Sequence, residues 1–118
     1  NMYRTLTAPG VCVYRSGDRI VAFFVTRAKD DVVEIFLLCV DEAFQRRGLG
    51  ARMIGEIERA AGRGAMLVGT ILPGVDVAAF YERLGFKARP RDDGGFRIEK
   101  RLRAQEPHVT PAAPCRDS

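Results

Sequence analysis

Residues 40–50 read V-D-E-A-F-Q-R-R-G-L-G, and the periodicity of the chain changes across them. Before them runs V-V-E-I-F-L-L-C-V (Val32–Val40), whose near-continuous apolarity predicts a strand buried on both faces. After them Leu49, Met53, Ile57 and Ala60 or Ala61 recur close to helical spacing, with Glu56, Glu58 and Arg59 on the other side. Gly62-Arg63-Gly64 ends that helix. The junction holds no Ser, Thr or Asn to cap the helix, and Asp41 and Glu42 lie too early for a start near Gly48. The first backbone N–H groups of a helix need partners. Gly48 and Gly50 allow a tight turn and the close approach of a ligand, while Arg46, Arg47 and Arg52 add positive charge. Two readings stand: a phosphate or pyrophosphate site made of amides and the helix dipole, or a glycine-bearing loop whose amides are hydrated.

Upstream, 11–15 (V-C-V-Y-R) and 19–27 (R-I-V-A-F-F-V-T-R) read as strands, separated by the turn residues Ser16-Gly17-Asp18. Ala28-Lys29-Asp30-Asp31 supplies the next turn, so an antiparallel meander leads into Val32. Downstream, 65–72 is a buried strand broken by Pro73-Gly74. A second helix opens near Asp76 as N-cap, aligns Val77, Phe80, Tyr81 and Leu84 on one face, and stops at Gly85. Residues 86–91 and 96–102 flank Asp92-Asp93-Gly94-Gly95, a hairpin signal. The order is β-β-β-α-β-α-β-β: an α/β domain with one mixed, largely antiparallel sheet. The expected domain is 2–103; three prolines and little periodicity make 104–118 a loose tail. Asn1 before Met2 reads as a cloning remnant.

Composition narrows the function. A chain of 118 residues with 47% apolar content fits one domain with one core. No apolar run approaches the roughly 20 residues that span a bilayer, and no secretory signal follows Met2. Cys12, Cys39 and Cys115 are odd in number and scattered, which suits a reducing, cytoplasmic compartment. A net charge of +4 without an aromatic-rich basic platform makes a nucleic-acid partner a poor expectation. Serine occurs only at Ser16 and Ser118, against a serine triad, and the single histidine, His108, leaves no basis for a metal site. Neither a G-x-x-x-x-G-K-[ST] loop nor a complete dinucleotide fingerprint is present. Cys39, on a strand expected to be buried, reads as inert packing rather than a nucleophile.

Q-R-R-G-L-G at 45–50 resembles the Q/R-x-x-G-x-G/A motif of GCN5-related N-acetyltransferases, and it likewise follows an apolar strand and opens an amphipathic helix. A-A-F-Y-E-R-L-G-F at 78–86 resembles the family's second hallmark, in the same order along the chain. The resemblance covers 11–102 and implies the acyl-coenzyme A N-acyltransferase fold, with acetyl-coenzyme A as cosubstrate and direct acetyl transfer to a small amine or peptide amine. A non-catalytic acyl-coenzyme A-binding or regulatory module is the alternative.

The resemblance further implies that amides of Gln45, Arg46, Arg47, Gly48, Leu49, Gly50 and Ala51 cradle the pyrophosphate. Leu38, Cys39 and Val40 would flank the pantetheine arm, with the Val40 N–H aimed at the thioester carbonyl. Tyr81 occupies the family's general-acid position; the alternative is a tyrosine packed beside Val77 and Leu84. Glu34 stands where histone-acetylating members carry a base; the alternative is a strand-end carboxylate in solvent. Gly74 replaces an asparagine found in many members. About nine residues precede the first expected strand, where full-length members have a strand and one or two helices. The acceptor pocket would then be open, or completed by a second copy or another protein, and the exposed sheet edge would favour a homodimer.

Overall fold

Left-handed turn residues set the meander. Gly10 and Gly17 lie at φ 77° and 63°, and Asp30 joins them at φ 57°, a region that Gly enters freely and Asp tolerates. Each sits between two strands, so the chain folds back on itself at every one. In the computed structural model, which describes residues 2–103, this yields strands β1 (Met2–Ala8), β2 (Val11–Ser16), β3 (Arg19–Lys29) and β4 (Val32–Val40), followed by helix α1 (Leu49–Ala61), β5 (Met66–Ile71), helix α2 (Ala78–Arg83), β6 (Lys87–Pro90) and β7 (Phe96–Arg101). The expected tail at 104–118, with His108 and Cys115, lies outside the described residues.

One seven-stranded sheet has the order β1-β2-β3-β4-β5-β7-β6. β4 and β5 run parallel, and the other neighbouring strands pair antiparallel. The architecture therefore agrees with the mixed α/β expectation, with one strand more. β1 pairs with β2 from Met2↔Ser16 to Ala8↔Val11, covering the edge that the sequence left open. Its M-Y-R-T-L-T-A lacks a dense apolar or β-branched signal, and its strand character depends on the ladder its neighbour offers.

The crossovers from β4 to β5 and from β5 to β6 step the same way across the sheet, so right-handed connections put both helices on one face. Their side chains Met53, Ile54, Ile57 and Tyr81 join Cys12, Tyr14, Phe24, Ile35, Leu67 and Ile98 of the strands in a single core. Tyr14 is fully buried there and donates to Glu56 Oε1 on α1, stitching β2 to the helix. By strand alternation the opposite face carries Val11, Phe23, Val25, Leu37 and Cys39, and no described helix lies over it.

Two expectations are corrected. β4 is not buried on both faces: Phe36 and Leu37 are 43% and 51% exposed, because helices cover only one side. Asp76 does not cap α2; Val77 is its N-cap and makes no side-chain cap bond.

A Cβ at Gly10 would lie 2.2 Å from the Thr26 carbonyl oxygen, whereas one at Gly17 would meet nothing within 4 Å. Both substitutions strain a left-handed φ, but only Gly10→Ala also pushes β2 off β3. Gly10→Ala is expected to lower the unfolding free energy by about 2 kcal/mol more than Gly17→Ala, measured by urea denaturation. Equal losses would show that the hairpin absorbs the extra methyl group.

Candidate functional site

The site begins where two strands part. Pairing between β4 and β5 runs only from Val32↔Met66 to Ile35↔Gly69, while β4 stays on β3 as far as Ala22↔Val40. An extra residue in β4, Phe36, between the pairs Thr26↔Ile35 and Val25↔Leu37, marks the point of divergence. From there to Val40, one edge of β4 has no strand beside it. The Asp41 N–H donates to the Val21 carbonyl on the β3 side at 2.7 Å. Successive amides of an extended chain alternate, so those of Val40 and Leu38 point the other way, into the gap. The Val40 carbonyl shares that edge and accepts from Gln45 Nε2 at 2.9 Å.

The turn after β4 is built in two steps. A 3₁₀ turn, Glu42–Phe44, comes first, with Asp41 as its cap: Asp41 Oδ1 accepts from the Ala43 N–H at 2.8 Å. This amide, and then Arg19 at 2.7 Å, hold the Asp41 carboxyl below the usual carboxylate range. Asp41 thus caps the turn and not the helix. Arg46 and Gly48 then take left-handed φ of 64° and 79°. These conformations bracket Arg47 and turn the backbone into the start of α1, where Gly48 is the N-cap with no side-chain cap bond and the first turn holds no acidic residue. No side chain caps α1, but of the amides expected to be free, that of Gln45 is already used: it donates to the Glu42 carbonyl at 3.2 Å, closing the 3₁₀ turn.

The glycines serve different ends. At Gly48 a Cβ would meet nothing within 4 Å, so its conformation is what calls for glycine. At Gly50 a Cβ would lie 3.0 Å from the Phe80 ring, so this glycine lets α2 approach α1. The arginines divide likewise. Arg52 reaches Glu56 at 3.5 Å and lies over the Tyr14 ring at 5.9 Å, directed at β2 and away from the turn. Arg47 lies over the Phe44 ring at 5.4 Å, and Arg46 has no ion pair among the described residues.

Tyr81 comes from α2, 8% exposed, its ring edge-on to Phe80 at 5.0 Å and to Phe86 at 5.3 Å. Burial pushes its phenol up, with Cys39 a second, electrostatic contributor. Cys39 itself is exposed, contrary to the expectation of inert packing, because it stands on the face that no described helix covers. Glu34 is half-buried on β4, opposite Val68 of β5. Val33 and Ile35 enter the helix-side core, so Glu34 faces the helix-free side. Tyr81 and Glu34 therefore belong to opposite faces of the sheet, with the gap opening one residue beyond Ile35. Gly74, between β5 and α2, has φ 84° and open space around it. Among the described residues, no group of His, Cys, Asp and Glu could hold a metal ion.

A protein-family model described as an acetyltransferase (GNAT) domain matches residues 8–88. The chain belongs to the GNAT acetyltransferase domain family. Solved GNAT-like folds align closely. The PaiA N-acetyltransferase of Thermoplasma acidophilum, in complex with coenzyme A, is 16% identical at a TM-score of 0.68, over 78% of this chain and 60% of its own. The ribosomal-protein-S18-alanine N-acetyltransferase of Escherichia coli is 20% identical at 0.67, over 88% and 77%. Arabidopsis thaliana Naa50, in complex with the bisubstrate analogue CoA-Ac-MVNAL, is 15% identical at 0.65, over 76% and 71%. At these identities the likeness is one of fold. No curated protein matches the sequence.

Within this GNAT domain, the sequence could not show the Gln45 bond to Val40, the Phe80 ring against Gly50 or the diversion of Arg52. The only signal was the i,i+4 spacing of Arg52 and Glu56. Because desolvation disfavours the phenolate, Tyr81 should stay protonated through neutral pH and titrate above about 10. The difference in ultraviolet titration between wild type and Tyr81→Phe isolates its midpoint. A midpoint at or below about 10 would contradict the burial.

Proposed function

We propose that the domain is an acetyl-coenzyme A-dependent N-acetyltransferase that moves the acetyl group directly to a small amine or peptide amine. The observation that carries this reading is the parting of β4 from β5 beside an uncapped, left-handed turn. An extended chain bearing amides fits the vacant edge of β4, and a diphosphate fits the amide-lined turn at its end. Pantetheine linked to a pyrophosphate has that combination.

On this reading, the amides of residues 46–51 hold the pyrophosphate, while that of Gln45 stays in the turn on the Glu42 carbonyl, and Leu38, Cys39 and Val40 flank the pantetheine. The Val40 N–H polarises the thioester carbonyl and stabilises the oxyanion that forms on attack. The neutral amine approaches the carbonyl carbon from the helix-free face, and Glu34, through water, accepts its surplus proton. Collapse of the tetrahedral intermediate breaks the C–S bond. Tyr81, kept protonated by burial, gives its proton to the departing thiolate. A non-catalytic module would need the same turn but no protonated phenol beside the gap.

Calorimetry should show acetyl-coenzyme A binding with a micromolar dissociation constant; no heat and no thermal shift at millimolar ligand would overturn the proposal. Thiol release across a panel of amines separates the enzyme from the module. Tyr81→Phe is expected to lower kcat about 100-fold while leaving acetyl-coenzyme A binding unchanged. Unchanged turnover would remove Tyr81 from the mechanism.

A further inference from the structure

At the far end of α1, about 20 Å from the glycine turn by helix rise, lies a groove of about 990 Å³ between the helix terminus and the β6–β7 hairpin. Its two lining carboxylates are already engaged: Glu58 with Lys100 at 2.8 Å, and Glu99 with Arg97 at 3.4 Å and Arg89 at 4.0 Å. Arg59, Arg63, Lys87 and Arg103 also line it, and none has an ion pair among the described residues.

The groove is also fixed in shape. Gly64 N–H donates to the Leu102 carbonyl at 3.1 Å, and Leu102 N–H to that of Ala65 at 2.7 Å. Arg101 donates to the Gly64 carbonyl at 2.9 Å, and Lys100 to the Leu84 carbonyl at 2.7 Å. The segments that carry the free cations are thereby tied together, so little ordering is left for a ligand to impose.

We propose that this groove binds an acidic polypeptide segment. Clustered guanidinium groups recognise carboxylates and phosphates in a forked geometry. Nucleic acid fits less well: no aromatic side chain lines the groove to stack a base, and its volume suits a short chain segment better than a duplex. The site shares no residue with the gap or the glycine turn, so the proposal stands or falls apart from the transferase reading.

The test is fluorescence anisotropy of a dye-labelled oligoglutamate on the full domain, beside an oligoglutamine of equal length and a single-stranded oligonucleotide of equal charge. Oligoglutamate should bind, oligoglutamine should not, and affinity should fall as salt rises from about 50 to 300 mM. Arg63→Glu and Lys87→Glu should each weaken binding at least about tenfold, while Lys29→Glu, on the exposed end of β3, leaves it unchanged. If charge reversal unfolds the domain in thermal melts, Arg63→Gln and Lys87→Gln should still weaken binding about threefold. Absence of binding, equal weakening by Lys29→Glu, or tighter binding of the oligonucleotide would each overturn the proposal.

Discussion

The whole site depends on the vacant edge of β4 beyond Ile35. Within a sheet, a strand without a neighbour leaves N–H and C=O groups that must find partners in water, side chains or a ligand. β4 meets this requirement only in part: Gln45 takes the Val40 carbonyl, while the Val40 and Leu38 amides face the gap. The strands are held together on one side of the gap by the Ile35↔Gly69 pairing. Beyond the gap, β5 is held by β7, through Thr70↔Arg97 and Ile71↔Phe96. The opening is thus fixed by ladders on both flanks and does not rest on a flexible loop.

That constraint explains what could be read from the residues and what could not. The change of period at Val40 and Leu49 reflects burial of one stripe of α1 against the sheet, so pattern alone located the junction, the uncapped helix and the glycines. The hairpin at Asp92-Asp93-Gly94-Gly95 was equally legible, because its turn chemistry is local: Asp93 accepts from the Gly95 N–H at 2.8 Å. Exposure along β4 was not legible. An apolar run looks the same whether a second layer or a substrate is meant to cover it, so Phe36, Leu37 and Cys39 read as core from pattern alone. β1 escaped for the converse reason, since its order comes from β2 and not from its own composition.

The charged residues of α1 show how position outranks type. Arg52 follows the glycine turn closely enough to suggest a role there, yet Glu56, one turn on, draws it to the β2 side. Glu56 can do so because Tyr14 donates to it and Arg4 stands 3.8 Å away, in a place too enclosed to leave a carboxylate alone. The helix start is therefore positive through its amides, Arg46 and Arg47, while Arg52 belongs to the packing between α1 and β2. At the other end of the helix Arg59 and Arg63 have no such carboxylate, so unbalanced charge collects there.

The gap is reached differently from its two sides, and this bears on the acceptor. On the helix side, Phe80 closes against Gly50, and Tyr81 is wedged between Phe80 and Phe86. Under the proposed mechanism, aromatic rings there would exclude water from the departing thiolate and leave little room for a second substrate. On the opposite side, Glu34, Leu37 and Cys39 lie under no described helix, and Leu37 is half exposed. An amine must lose its proton before it can attack, and it must reach one open face of the planar thioester carbonyl. Under the proposed mechanism both needs are met only from the helix-free side. Under that mechanism the acceptor's chemistry is governed by whatever comes to cover Phe36 and Leu37, and not by the geometry of the turn.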